Sequence, residues 1–180
     1  MDFIDKVRKI KRGPAVMISK DIGAIIVNTG MGKKSEVMEA GTGSGMLAAH
    51  LSRVVKKVYG YERREDFYEI AKENFKKLKI RNIDLKNEDV KKAKEKVDVI
   101  ILDLANPWDY NLDKNLNENG FLVCYSPNIT QVKELVEKTK LKFVKMIEVI
   151  EREWIIDERR ARPKNMMLGH TGFLVFLRKV

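Results

Sequence analysis

A single cysteine, Cys124, stands in 180 residues, inside the apolar run GFLVCY. One thiol builds neither a disulfide framework nor a thiolate metal site, which leaves it as a core residue in a reducing compartment. No apolar run approaches the roughly 20 residues of a membrane-spanning helix, so no membrane association is expected. The stretch MDFIDKVRKIKRG is charged throughout and has no apolar segment followed by small residues. No secretory leader is expected there, and the expected compartment is the cytoplasm. Internal repeats, low-complexity tracts and linker-like segments are also missing.

What is present is a composition of 44% hydrophobic and 34% charged residues, which excludes wholesale disorder. A chain of this length buries roughly 70% of its unfolded surface, enough for one core without staples. The balance of 36 Lys and Arg against 26 Asp and Glu leaves a net charge of +10. Two sources fit that excess: a polyanionic partner such as RNA, or the ion-pair surface of a heat-adapted protein. The charge is unevenly placed. Residues 1–34 carry 8 basic and 3 acidic side chains, 53–96 carry 15 and 9, and 151–180 carry 7 and 4. Residues 35–52 and 97–150 are each net −2, so an acidic centre is framed by basic flanks.

The hydrophobic pattern alternates short apolar runs with segments of helical period. Ser35 to Glu39 reads as a strand, followed by a glycine turn and a helix carrying Met46, Leu47, Leu51, Val54 and Val55. Val58 to Glu62 is a second strand, and Phe67, Ile70, Ala71, Phe75 and Leu78 mark the next helix. Ile83 to Leu85 is a third strand. Val97 to Leu104 is a β-branched run of the kind buried on both faces of a parallel sheet. Gly120 to Tyr125, Phe143 to Ile150 and Gly172 to Leu177 are three further strands, with a helix over Ile129 to Lys140. This order predicts an α/β domain with a mostly parallel sheet, its last two strands pairing antiparallel at one edge. Residues 1–34 read as a lead-in lying over the sheet, and 35–180 as the domain proper.

Ligands of such sheets bind beyond the carboxyl ends of the strands. There the first strand runs into Glu39-Ala40-Gly41-Thr42-Gly43-Ser44-Gly45, whose glycines let backbone approach a ligand. Two features argue against NAD: the third glycine comes one residue too soon, and Glu39 would repel a pyrophosphate. A ligand with an ammonium and a positive centre suits Glu39 better, and S-adenosylmethionine has both. Glu62 ends the second strand, Asp89 follows the third and Asp103 closes the fourth. Glu62 is placed for ribose hydroxyls and Asp89 for the adenine amino group.

These residues resemble the class I methyltransferases. The wider set is Lys20-Asp21-Ile22-Gly23, the Glu39 to Gly45 turn, Leu102-Asp103-Leu104 with Pro107-Trp108, Tyr125-Ser126-Pro127 with Gln131, Arg162-Pro163 and His170-Thr171-Gly172. Together it resembles the tRNA adenine-N1 methyltransferases that modify the T-loop, over about residues 12–180. The resemblance implies a Rossmann-like, seven-stranded class I methyltransferase fold with an antiparallel last strand. It further implies S-adenosylmethionine held by Glu39, Gly41, Thr42, Gly43, Ser44, Gly45, Met46, Glu62 and Asp89, with Asp103 bordering it as catalytic acid/base, and a homotetramer acting on tRNA. Methyl transfer from a sulfonium is an in-line displacement, so no metal is expected. A carboxylate beside the adenine N6 amino group would stabilise charge developing as N1 is methylated, or accept the N6 proton.

Pro107 and Trp108 are expected to wall a flipped-out base, unless Trp108 simply packs. Arg159, Arg160, Arg162 and Lys164 are placed for phosphate contact or as solvated loop charge, with Arg160 and Arg162 the expected substrate contacts. His170 either borders the cofactor or serves as a structural hydrogen-bonder. The chain departs from the family in three places: almost nothing precedes residue 12, where members carry a small β-rich module; Ile18-Ser19 stands where Tyr-Pro is common; and Leu104-Ala105-Asn106 lacks the usual proline. Two alternatives stay open, a small-molecule methyltransferase of the corrin-precursor type and a cofactor-binding but non-catalytic RNA-binding subunit.

Overall fold

Residues 2–13 and 16–180 are described by a computed structural model; Met1, Pro14 and Ala15, which fall in the expected lead-in, lie outside the described residues. In chain order the helices are α1 (Phe3–Val7), α2 (Ser19–Thr29), α3 (Met46–Leu51), α4 (Glu65–Leu78) and α5 (Ile129–Lys138). The strands are β1 (Glu36–Ala40), β2 (Lys57–Tyr61), β3 (Ile83–Lys86), β4 (Val97–Leu102), β5 (Leu116–Ser126), β6 (Lys142–Glu148), β7 (Trp154–Ile156), β8 (Ala161–Pro163) and β9 (Phe173–Arg178). Seven strands form one sheet in the order β3-β2-β1-β4-β5-β9-β6, and β7 with β8 makes a separate ribbon.

Alternating side chains bury both faces of this sheet. Val37, Val99, Ile101, Val123, Leu174 and Phe176 face one core with α2 and α3, while Met38, Ile100, Leu102, Leu122, Cys124 and Leu177 face the other with α5. The period of two explains why the run Val97–Leu102 is apolar at almost every position: each neighbour serves a different core. All seven expected strands are present, and β9 is the antiparallel one. It is inserted between β5 and β6 and pairs antiparallel with both, so β6 takes the edge.

Two features were not expected. Residues 19–29 form α2, whose Ile22 and Ile25 are buried in the same core as the sheet, and Gly30 at φ 66° ends the helix in a left-handed cap. The polar stretch before β9 folds as the β7–β8 ribbon, with Trp154 paired to Pro163 and Ile156 to Ala161. Among the described residues no helix is long and apolar enough to cross a membrane.

What positions the site is the reversal of strand order between β1 and β4. Chain connections leave these neighbours in opposite directions, opening a crevice at their carboxyl ends. The residues at its mouth are Gly41 and Asp103.

Candidate active site

Beyond β1, Gly41 adopts φ 85°, and a Cβ built on it would lie 2.3 Å from the backbone oxygen of Asp103. The turn thus crosses the end of β4 so closely that only glycine fits. The Asp103 amide donates to Ala40 O at 3.0 Å, and the Gly41 amide to Tyr61 O at 3.0 Å, which ties the turn to both neighbouring strands. Gly45, at φ 82°, packs on the Phe75 ring of α4. Asn74 of the same helix is fully buried and donates to Ser44 O and Lys11 O, each at 2.9 Å, so one amide fixes the turn and the segment before α2.

A cavity of about 300 Å³ opens over these strand ends, lined by Gly41, Gly43, Glu62, Asp89 and Asp103. A recess of about 30 Å³ beside it is lined by Glu39, Thr42, Ser44 and Met46 and shares Gly41, Gly43 and Asp103 with the larger space. The expected cofactor set is therefore brought together on one rim, with Gly45 buttressing the turn from behind. Glu62 is buried; its Oε2 accepts from the Gly43 amide at 2.8 Å and its Oε1 from the Arg64 amide at 3.0 Å. Asp89 caps a short 3-10 turn by accepting from the Lys91 amide at 2.8 Å.

The electrostatics of this rim are unusual. Glu39 is buried, and its Oε2 has no hydrogen-bond partner among the described residues. Burial first, then the neighbouring Asp103 charge, pushes its carboxyl up to about 8. Asp103 opens on to the cleft but is surrounded by protein, and the loss of bulk water, followed by Glu62, raises it to about 6. Glu39 and Asp103 border the recess, while Glu62, Asp89 and Asp103 border the larger cavity, where Arg63 and Arg64 also stand and Arg64 lies 3.8 Å from Glu62; the buried Glu39 oxygen is the atom of this rim that still calls for a donor.

Other expected residues lie elsewhere. Pro107 and Trp108 do not line this cavity. They sit in a 3-10 turn, Pro107–Asp109, that bends away towards α5, and with Lys138 and Leu135 they line a second cavity of about 240 Å³. The Lys138 ammonium stands 5.3 Å from the Trp108 ring centre. The aromatic residue of this loop that reaches the Asp103 cavity is Tyr110, which borders both spaces. Arg160 and Arg162 lie on the ribbon, outside the cleft. Arg160 pairs with Asp157 at 2.6 Å, and Arg162 donates to Asn165 at 2.6 Å. His170 is a hydrogen-bonder: it contacts Glu148 and reaches Pro127 O at 2.9 Å, and Glu148 holds its pKa above the usual range.

Tyr110, Arg63 and Phe67 also line the cleft and are not among the residues expected from the sequence. Arg63 follows Glu62 directly, so strand-end spacing could have found it. Tyr110 had no signal beyond its nearness to Asp103.

A seven-stranded sheet in this order, with a glycine turn after β1 and acids at four strand ends, is the class I methyltransferase architecture, and the chain is a methyltransferase. Residues 11–166 match the family model described as tRNA methyltransferase complex GCD14 subunit, and the chain belongs to that family. It is 36% identical to the tRNA (adenine(57)-N(1)/adenine(58)-N(1))-methyltransferase TrmI of Methanocaldococcus jannaschii, over 98% of this chain and 76% of that protein. Its structure matches the tRNA (m1A58) methyltransferase TrmI of Aquifex aeolicus with a TM-score of 0.93 and 30% identity, covering 100% of this chain and 76% of that one. A SAM-dependent O-methyltransferase from Thermotoga maritima matches at TM-score 0.91 and 29% identity, covering 100% and 72%.

Proposed function

We propose that this protein transfers a methyl group from S-adenosylmethionine to N1 of an adenine in tRNA, with Asp103 as the carboxylate that serves the reaction. The observation that carries the reading is the placement of Asp103. It lies at the reversal of strand order, bordering both the main cavity and the recess holding the unpaired Glu39 oxygen.

The residues present fit the cofactor. A buried carboxylate oxygen without a partner calls for a donor, and the cofactor's ammonium is one. Glu39 would hold that amino end, Glu62 the ribose hydroxyls and Asp89 the adenine amino group. Gly41 and Gly43 keep the floor free of side chains. When bound, the cofactor supplies an electrophilic methyl on a sulfonium.

The chain's own part in the chemistry falls to Asp103. Neutral adenine becomes cationic as N1 is methylated, or gives up an N6 proton. An ionised Asp103 at the cleft edge stabilises that charge or takes the proton. A carboxyl raised to about 6 is still ionised near neutral pH, yet is a stronger base than an ordinary aspartate.

The basic segments 1–34, 53–96 and 151–180 are the surface offered to tRNA phosphates. Assembly into a homotetramer in the cytoplasm completes the reading. Its support is apolar surface that a lone chain leaves in water: Trp154 is 58% exposed, Ile156 80%, Met166 87% and Leu168 57%, and β6 is an unpaired sheet edge among the described residues.

The test is incubation of the purified protein with unmodified tRNA and isotope-labelled S-adenosylmethionine, followed by nucleoside mass spectrometry. Labelled 1-methyladenosine is the expected product, lost in Asp103→Ala. No labelled nucleoside, or undiminished product from the variant, would overturn the proposal.

A further inference from the structure

Asp103 divides the rim. With the cofactor placed as proposed, its cavity is lined from the ends of β1, β2 and β3 and from Leu104, Ala105 and Tyr110 after β4, which leaves the β5 side of Asp103 for the methyl acceptor. The residue waiting there is Tyr125. Leu102 pairs with Cys124, so Tyr125 and Asp103 are the next residues along two adjacent parallel strands. Both point to the face that carries α2 and α3.

The Tyr125 ring is held on two sides. Its hydroxyl donates to Thr171 O at 2.5 Å. Gly172 presses against the ring so closely that a Cβ there would lie 2.6 Å from Cζ. Burial pushes the phenol's pKa up from its ordinary value, so the hydroxyl stays a donor.

Thr171 is itself fixed by a closed triangle. Lys20 Nζ donates to Thr171 Oγ1 at 2.6 Å, Thr171 Oγ1 donates to Asp21 Oδ2 at 2.9 Å, and Lys20 pairs with Asp21 Oδ1 at 2.8 Å. Asp21 is completely buried and the Lys20 side chain is 5% exposed. A buried ion pair is a poor source of stability, because desolvation offsets the attraction. Its value is geometric: it ties the start of α2 to a residue 150 positions away and sets where Thr171 presents its carbonyl.

We infer that Thr171 is a positioning residue for methyl transfer, which with Lys20 and Asp21 locks the Tyr125 ring as the fixed wall on the acceptor side of Asp103. The inference rests on the proposed function. The cofactor lies on the far side of Asp103, so this lock acts on the acceptor alone.

The experiment compares Thr171→Val, Thr171→Ser and Tyr125→Phe with the unaltered protein in steady-state methylation of tRNA, alongside cofactor affinity by calorimetry. Misplacement by a fraction of an ångström lowers kcat/KM for tRNA by about ten- to a hundredfold. That loss is expected in Thr171→Val and Tyr125→Phe, with cofactor affinity within twofold, and Thr171→Ser restores most of the rate because it keeps Oγ. Equal losses in rate and cofactor affinity, or Thr171→Ser as poor as Thr171→Val, would show a merely structural role. Undiminished kcat/KM in Thr171→Val overturns the inference alone. An unaltered protein that does not methylate tRNA overturns the substrate reading, and the positioning role with it.

Discussion

The α-carbon of Gly41 faces the backbone carbonyl of Asp103 so closely that a methyl group placed on it would lie 2.3 Å from the oxygen. The neighbouring atom is backbone of a central strand and cannot yield as a side-chain tip could. Gly41→Ala adds to that clash the cost of a left-handed conformation, about 1–2 kcal/mol for a residue with a Cβ. The expected result is a fall in the melting midpoint of at least about 2–4 °C, the shift that about 1 kcal/mol produces in a chain of this size. Cofactor binding should be lost in whatever fraction remains folded. Thermal unfolding and calorimetry check both parts.

A second consequence concerns pH and rate. The base form of Asp103 is its ionised form, and its carboxyl is raised to about 6. Below that value the group is protonated and cannot accept a proton. For the free enzyme kcat/KM should therefore rise with pH through about 6 and then level off. Asp103→Asn keeps the shape but not the charge, so a rate loss of about 10²- to 10⁴-fold is expected together with disappearance of the acid limb. A pH profile whose limb survives in the variant would assign the limb to another group.

The buried Glu39 gives a prediction that needs no turnover. Its folded pKa, about 8, stands above the 4.5 of an unperturbed glutamate, so the folded protein binds the proton more tightly than the unfolded chain. Stability conferred by that proton is complete below about 4.5 and is lost as pH rises through about 8. The melting midpoint of the cofactor-free protein should fall across that window, and Glu39→Gln should flatten the fall. A cationic ligand reverses the preference, so S-adenosylmethionine binding at pH 7 should release a proton. Calorimetry in two buffers of different ionisation enthalpy would detect it, and a buffer-independent heat would exclude it.

Much of the fold and the cofactor rim was legible in the sequence, for identifiable reasons. Val97–Leu102 announces a central strand because both of its faces are buried, and Glu39, Glu62, Asp89 and Asp103 could be placed on one rim because each ends a strand. Helix α2 was missed although Ile22, Ile25 and Ile26 recur at helical spacing, because its N-cap, Ile18, is not a capping residue and no side chain caps the helix there. The place of Trp108 was not readable. A residue six positions past the end of β4 can turn to either face, and the turn at Pro107–Asp109 sends it towards α5 while Tyr110 returns to the cleft. The triangle of Lys20, Asp21 and Thr171 joins residues 150 apart, a proximity that spacing along the chain does not reveal.

Asn74 offers a test of how the glycine turn is held. Its side chain donates to Ser44 O and Lys11 O and accepts from the Lys11 amide at 3.1 Å. Asn74→Ala strands these backbone groups in a buried place, at about 1–3 kcal/mol. The turn is loosened as well, so S-adenosylmethionine affinity should fall while tRNA binding, which does not involve α4's buried face, stays near its original strength. Equal loss of both would point to global unfolding rather than a local release.

The basic ribbon can be judged by salt. Arg160 already has a partner in Asp157, and Arg162 spends a donor on Asn165, yet Arg160 is exposed and Arg162 is half-buried rather than enclosed. If they neutralise tRNA phosphates, the double variant Arg160→Ala, Arg162→Ala should bind tRNA more weakly and show a salt slope smaller by about 1–2, with cofactor affinity unchanged. Pairing with Asp157 reduces the charge Arg160 has to offer, so Arg162→Ala alone should account for most of the change. An unaltered slope would leave the ribbon's arginines as solvated loop charge and shift the phosphate contacts to the basic segments 1–34 and 53–96.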